Sequence, residues 1–166
     1  MLMVWAGEVK GQTSPRVYVE DQSNIGDDIF LGNYSYKVTD PNNAVGPNSS
    51  TSFAGLYTNI ILNLSSITAW EQLKFNTRTT RPALSPGTIT YIKIGGKNGT
   101  VPQSLLGLLP GGNIQASVYN GATSAANNYG TPIGTAPIIT NFAEGGTNYL
   151  SVKSNSTYNS VRVSLV

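Results

Sequence analysis

The sequence contains no cysteine and no histidine. Without cysteine there can be no disulfide framework, no thiolate metal site and no thiol nucleophile. Without histidine the usual general base near neutral pH is missing, as are the commonest metal ligand and the centre of a Ser–His–Asp triad. Ser–Lys or paired-carboxylate chemistry stays formally open. Glu71 and Glu144 are the only glutamates in the later segments, however, and no spacing sets them face to face as a glycosidase would need. Charge is also scarce: Asp, Glu, Lys and Arg make up 11% of the chain, against an average of about 25%. The ten basic residues are scattered and the net charge is only +2, so a nucleic-acid footprint is not expected. No apolar run approaches the roughly 18 residues of a transmembrane helix. The chain therefore reads as a non-enzyme with no catalytic residues and no membrane span.

What fills the gap is Ser, Thr, Asn and Gly, a polar but uncharged surface common outside cells. An apolar fraction of 39% over 166 residues is enough for one core. Helix signals are few. Residues 65–72 could form one turn, and residues 104–109 another, stopped by Pro110-Gly111-Gly112. Strand signals recur at residues 16–20, 34–38, 57–63, 72–76, 88–94, 113–119, 148–153 and 160–166. In the last of these Val161, Val163 and Leu165 share one face, and Ser160, Arg162 and Ser164 the other. That alternation predicts core valines and an exposed arginine. Turn formers such as Asp40-Pro41-Asn42-Asn43, Ser85-Pro86-Gly87 and Asn120-Gly121 separate the runs. The expectation is an all-β fold with little helix: one antiparallel two-sheet β-sandwich, jelly-roll or discoidin-like, over residues 14–166.

Residues 1–13 form a separate N-terminal segment in this reading. Met1-Leu2-Met3-Val4-Trp5 is apolar, and Val9-Lys10-Gly11 sets small or medium residues before Gln12. The segment could be the tail of a signal peptide, a first strand, or a cloning addition. If retained, Leu2, Met3, Val4 and Trp5 could add as a strand to a sheet edge, the chain's own or a neighbour's, and so act as an assembly contact.

Three motifs occur in order along the sequence. Val38-Thr39-Asp40-Pro41-Asn42-Asn43-Ala44-Val45 is the first. Ile114-Gln115-Ala116-Ser117-Val118-Tyr119-Asn120-Gly121-Ala122-Thr123 follows a leucine-rich piece. Tyr158-Asn159-Ser160-Val161-Arg162-Val163-Ser164-Leu165 closes the chain. Through these the sequence resembles a β-sandwich domain of large secreted surface and adhesin proteins of Bacteroidota, whose opening is discoidin-like. The resemblance spans roughly residues 20–166. It implies export through a dedicated secretion route and a passive role in adhesins or filaments. Gly46 and Asn159 stand where those domains often have Asp, and Ser160 where they have Arg. These departures remove charge that could have held calcium or a sugar.

Asp21, Asp27, Asp28 and Asp40 are weak candidates for a structural calcium, since calcium takes hard oxygen ligands from loops; their spacing matches no EF-hand, and a solvated acidic loop is the better account of them. No other cofactor is implied. Tyr129, in the loop Asn127-Asn128-Tyr129-Gly130, and Tyr119 are candidates for stacking on a glycan. Sequons begin at Asn33, Asn48, Asn63, Asn98 and Asn155 and matter only in a host that glycosylates them. The expected function is a non-catalytic structural or adhesive unit of an extracellular or cell-surface protein or self-assembling filament. Its partners would be further copies or domains of the surface protein. The alternative is a carbohydrate-binding module recognising surface glycans through loop tyrosines.

Overall fold

The computed structural model describes residues 2–4, 18–25, 28–30, 34–46, 54–60, 68–75, 83–95, 114–121, 131–134, 138–144 and 147–165. In chain order the strands are β1 (Leu2–Val4), β2 (Asp21–Asn24), β3 (Asp28–Phe30), β4 (Tyr34–Thr39), β5 (Ala54–Ile60) and β6 (Ala69–Lys74). They continue with β7 (Ile89–Gly95), β8 (Ile114–Asn120), β9 (Thr131–Pro132), β10 (Ile138–Glu144), β11 (Thr147–Lys153) and β12 (Ser160–Leu165). One turn of 3-10 helix, Pro41–Ala44, is the only helical element among the described residues. The all-β, two-sheet antiparallel expectation is met. Sheet A has the order β10-β11-β7-β1-β5-β4-β3, and sheet B the order β2-β6-β12-β8-β9.

Most strands lie within a few residues of where alternation places them. The strand expected at residues 16–20 is corrected over its described part: residues 18–20 are not in a strand, and β2 starts only at Asp21. Residues 16 and 17 lie outside the described residues. The strand expected at 57–63 begins earlier, at Ala54. β10 was not expected at all. The helical turn anticipated at residues 65–72 is corrected over its described part. Trp70, Glu71 and Gln72 pair with Ser164, Val163 and Arg162 of β12, and cross-strand packing outweighs the weak local helix signal. Residues 104–109 lie outside the described residues.

Alternation is what closes the core. Val161 sits opposite Val118 and Leu73, Val163 opposite Ala116, and Leu165 opposite Ile114 and Ala69, all of them buried. The facing sheet contributes Val38, Ala54, Leu56, Ile92, Ile94, Leu150 and Val152. β5 packs on β6 and β12, and β4 on β6, so the two inner faces meet. Each fully buried Leu, Ile or Val contributes roughly 1.5–3 kcal/mol by leaving water.

Leu2–Val4 is an interior strand of sheet A and not a segment standing apart from the sandwich. Met3 pairs with Gly55 on one side and Gly95 on the other, and Val4 with Ala54 and Ile94. Trp5 lies outside the described residues.

The turn that follows β4 is set by backbone geometry. Asp40 takes a left-handed conformation (φ 49°, ψ 47°), which Asp tolerates better than most residues. Pro41 then starts the 3-10 turn with its preset φ. Gly46, with φ 88°, occupies a conformation that L side chains rarely adopt, and its N–H donates to the Val19 carbonyl at 2.8 Å.

Tyr158 ties the two sheets together near their end. Its backbone forms a bridge with Leu84, and its side chain is fully buried. The phenol donates to the Thr88 carbonyl at 3.1 Å and so accepts from the Thr90 hydroxyl at 2.8 Å, since a phenol has one proton to give. Burial pushes its pKa above the ordinary tyrosine value, with the Thr90 contact working partly against that. Tyr158→Phe is expected to cost about 1–2 kcal/mol in urea unfolding, the usual consequence of leaving a buried polar partner unpaired. A change indistinguishable from zero would mean that water reaches the site.

Candidate polar face of sheet B

On β6 the residues opposite in phase to Ala69, Glu71 and Leu73 are Trp70, Gln72 and Lys74. The corresponding outward set on β12 is Ser160, Arg162 and Ser164, and on β8 it is Gln115, Ser117 and Tyr119. The register lines these up in rows across the sheet. Gln115, Ser164 and Trp70 form one row. Ser117, Arg162, Gln72 and Ser23 form the next, and Tyr119, Ser160, Lys74 and Asp21 the third.

The rows are tied together by side chains. The Arg162 guanidinium lies 3.9 Å from the centre of the Trp70 ring and 4.5 Å from that of Tyr119, so it is stacked between two aromatic planes. Its Nε and Nη2 donate to Gln72 Oε1 at 3.3 and 3.0 Å, and Gln72 Nε2 donates to Ser160 Oγ at 2.7 Å. Lys74 Nζ meets Asp21 Oδ2 at 3.3 Å. Gln115 and Ser117 are exposed, Trp70 and Arg162 half-buried, and Gln72, Lys74 and Ser160 buried. Arg162 is therefore not the fully exposed residue that alternation predicts: its long apolar stem and flat head lie down between two rings. Ser23 Oγ is buried with no hydrogen-bond partner.

Glu71 is the unexpected group. It points between the sheets, directly opposite Val163, with no exposure to solvent and neither carboxyl oxygen hydrogen-bonded. Desolvation pushes its pKa up to about 8, because an unpaired carboxylate in an apolar interior is far costlier than the neutral acid. At neutral pH the side chain is a protonated acid shut inside the core. Glu144, at the end of edge strand β10, belongs to the other sheet, so the two glutamates do not share a strand row.

The calcium candidates are spread over the fold. Asp21 lies on the edge of sheet B and pairs with Lys74, Asp28 lies in edge strand β3 of sheet A, and Asp40 begins the 3-10 turn. Asp27 lies outside the described residues. Among the described residues no group of three or more His, Cys, Asp or Glu is placed to hold a metal ion. Of the glycan candidates, Tyr119 is 9% exposed and has Arg162 on its ring, while Tyr129 lies outside the described residues. Tyr57 is the more exposed tyrosine, at 39%. Among the sequons, Asn155 is exposed. The Trp70–Arg162–Tyr119 cluster went unforeseen. Reading residues 69–74 as a strand instead of a helical turn would have put Trp70 and Gln72 beside Arg162. Comparison with protein-family models, with curated proteins and with solved structures finds no match to this chain.

Proposed function

We propose that this chain is a non-catalytic structural or adhesive β-sandwich unit of an extracellular surface protein or self-assembling filament. The observation that carries this reading is the polar face of sheet B. Its side chains are engaged in holding four strands to one another, through Asp21–Lys74, Gln72–Ser160 and the stacked, hydrogen-bonded Arg162. Such cross-strand ties favour a rigid module that transmits position over one that turns over substrate. The sealed position of Glu71 fits the same reading, since a carboxyl without solvent access cannot meet a soluble substrate. The low charge of the sequence and its resemblance to secreted surface domains of Bacteroidota support the extracellular setting. Immunogold labelling of intact producing cells with an antibody to this chain is expected to decorate the outer surface. Label confined to the cell interior would overturn the proposal.

A second reading, a carbohydrate-binding module, is favoured by one feature: the Trp70–Arg162–Tyr119 stack borders the exposed polar residues Gln115 and Ser117. Aromatic planes beside hydrogen-bonding groups are the usual elements of sugar recognition. A glycan array separates the readings. Saturable binding that Ser117→Trp abolishes supports the module, and no binding on any glycan removes it.

A further inference from the structure

We propose that β1 is an exchangeable strand: Leu2–Val4 of one copy of this chain completes the seven-stranded sheet of a second copy, in the groove between β5 and β7. The proposal rests on the structural reading above and names the partner in its assembly.

The position of β1 carries the inference. It is antiparallel to β5 and antiparallel to β7, so those two strands run parallel to each other and do not pair directly. Among the described residues, β1 alone joins the two halves of sheet A, β10-β11-β7 and β5-β4-β3. Its hold is slight. Three residues are in register with β5 and two with β7, whereas β11, the other interior neighbour of β7, is paired with it over six. A strand this short, at the seam of a sheet, belongs to the low-stability end of a structure's local openings.

Each further copy carries a segment with the same backbone pattern and side-chain sequence. Exchange therefore restores the same ladder and the same register opposite Ala54 and Ile94, with contact energies that nearly cancel. The balance is left to the connection and to protein concentration. Thirteen residues, numbers 5–17, join β1 to the next described residue. A chain of that length has a contour of up to ~45 Å. A net charge of +2 gives little repulsion between copies. One-way exchange generates a head-to-tail chain, and reciprocal exchange a closed dimer.

The absence of cysteine makes the test clean. Val4→Cys is placed in one full-length preparation and Ala54→Cys in a second carrying a size tag, and the two are mixed at high concentration under mild oxidation. The pair Met3→Cys and Gly55→Cys is run in parallel. Successive antiparallel pairs alternate between wide and narrow spacing, so one of the two sites suits a disulfide, and the other covers a variant that fails to fold. Mixed-mass dimers that increase with protein concentration, and are absent when Ser117→Cys replaces the β5 variant, are expected. The double variant Val4→Cys/Ala54→Cys should then yield either a ladder of covalent oligomers or a single dimer, both of which require exchange. Cross-linking of the double variant only within single chains, with no mixed dimer at any concentration, overturns the proposal. That result leaves surface labelling unaffected, so failure of exchange is distinguishable from failure of the structural reading.

Discussion

Glu71→Met should make the domain more stable at pH 8 by several kcal/mol and flatten its pH dependence across the mildly acidic and neutral range. The reason is the difference in proton binding between the folded and unfolded chains. In the unfolded chain the carboxyl ionises near its ordinary value of 4.5, whereas burial raises it to about 8 in the folded domain. Below the lower value both states hold the proton and the group makes no pH-dependent difference. Between the two values only the unfolded chain releases it, so stability falls as pH rises, by about 1.4 kcal/mol per pH unit. Above the upper value both states are ionised and the loss levels off, at a total on the order of 5 kcal/mol. Urea midpoints measured from pH 5 to pH 9 should therefore decline for the native chain and stay level for Glu71→Met, which keeps similar volume without a polar head. Glu71→Gln should also flatten the profile while gaining less stability, since a buried amide without partners is itself costly. A native profile that rises through this window would place the carboxyl in contact with water or a cation.

Val163→Asp should leave no cooperative unfolding transition, while Arg162→Ala should leave a folded domain. Val163 is fully buried, with Ala116 and Glu71 as its direct neighbours across the sheet. An aspartate there would set a second carboxyl opposite the first, with Cβ atoms about 5 Å apart. A buried, unpaired acid costs several kcal/mol, a large share of the roughly 5–15 kcal/mol that keeps a domain folded. Arg162, on the other face, would lose its stacking on Trp70 and Tyr119 and its hydrogen bonds to Gln72, about 1–2 kcal/mol for a half-buried group. Thermal scans of the two variants decide the matter. Equal effects would mean that the inner and outer faces of β12 are wrongly assigned.

The contrast between these neighbours was largely legible in the sequence. Strict alternation in Ser160-Val161-Arg162-Val163-Ser164-Leu165 identifies the core face because period two has only two phases. β6 was harder to read. Ala69, Glu71 and Leu73 alternate with Trp70, Gln72 and Lys74, and each set contains a polar residue, so neither face declares itself. The core position of Glu71 is visible only once its partner Val163 is known. β10 left even less trace. Its run Ile138-Ile139-Thr140-Asn141-Phe142-Ala143-Glu144 follows Pro137 and does not alternate cleanly; pairing with β11 over its whole length makes it a strand. The Trp70–Arg162–Tyr119 stack joins side chains from three strands. Its parts are ordinary in sequence, and their meeting is a matter of register.

Strand order also bears on when the domain can fold. β12, the last strand in chain order, is the middle of sheet B, with β2-β6 on one side and β8-β9 on the other. β1, the first, holds the corresponding place in sheet A, and its partner Ile94 lies far along the chain. Sheet A can build in part from the consecutive pairs β3-β4-β5 and β10-β11, whereas the two halves of sheet B meet only through β12. Contacts of such large sequence separation slow folding, toward the millisecond-to-second range of β-sandwiches. Synthesis and folding are thereby separated in time. The strands that flank β12, β6 and β8, keep open edges until Ser160–Leu165 has emerged, and sheet B closes only then.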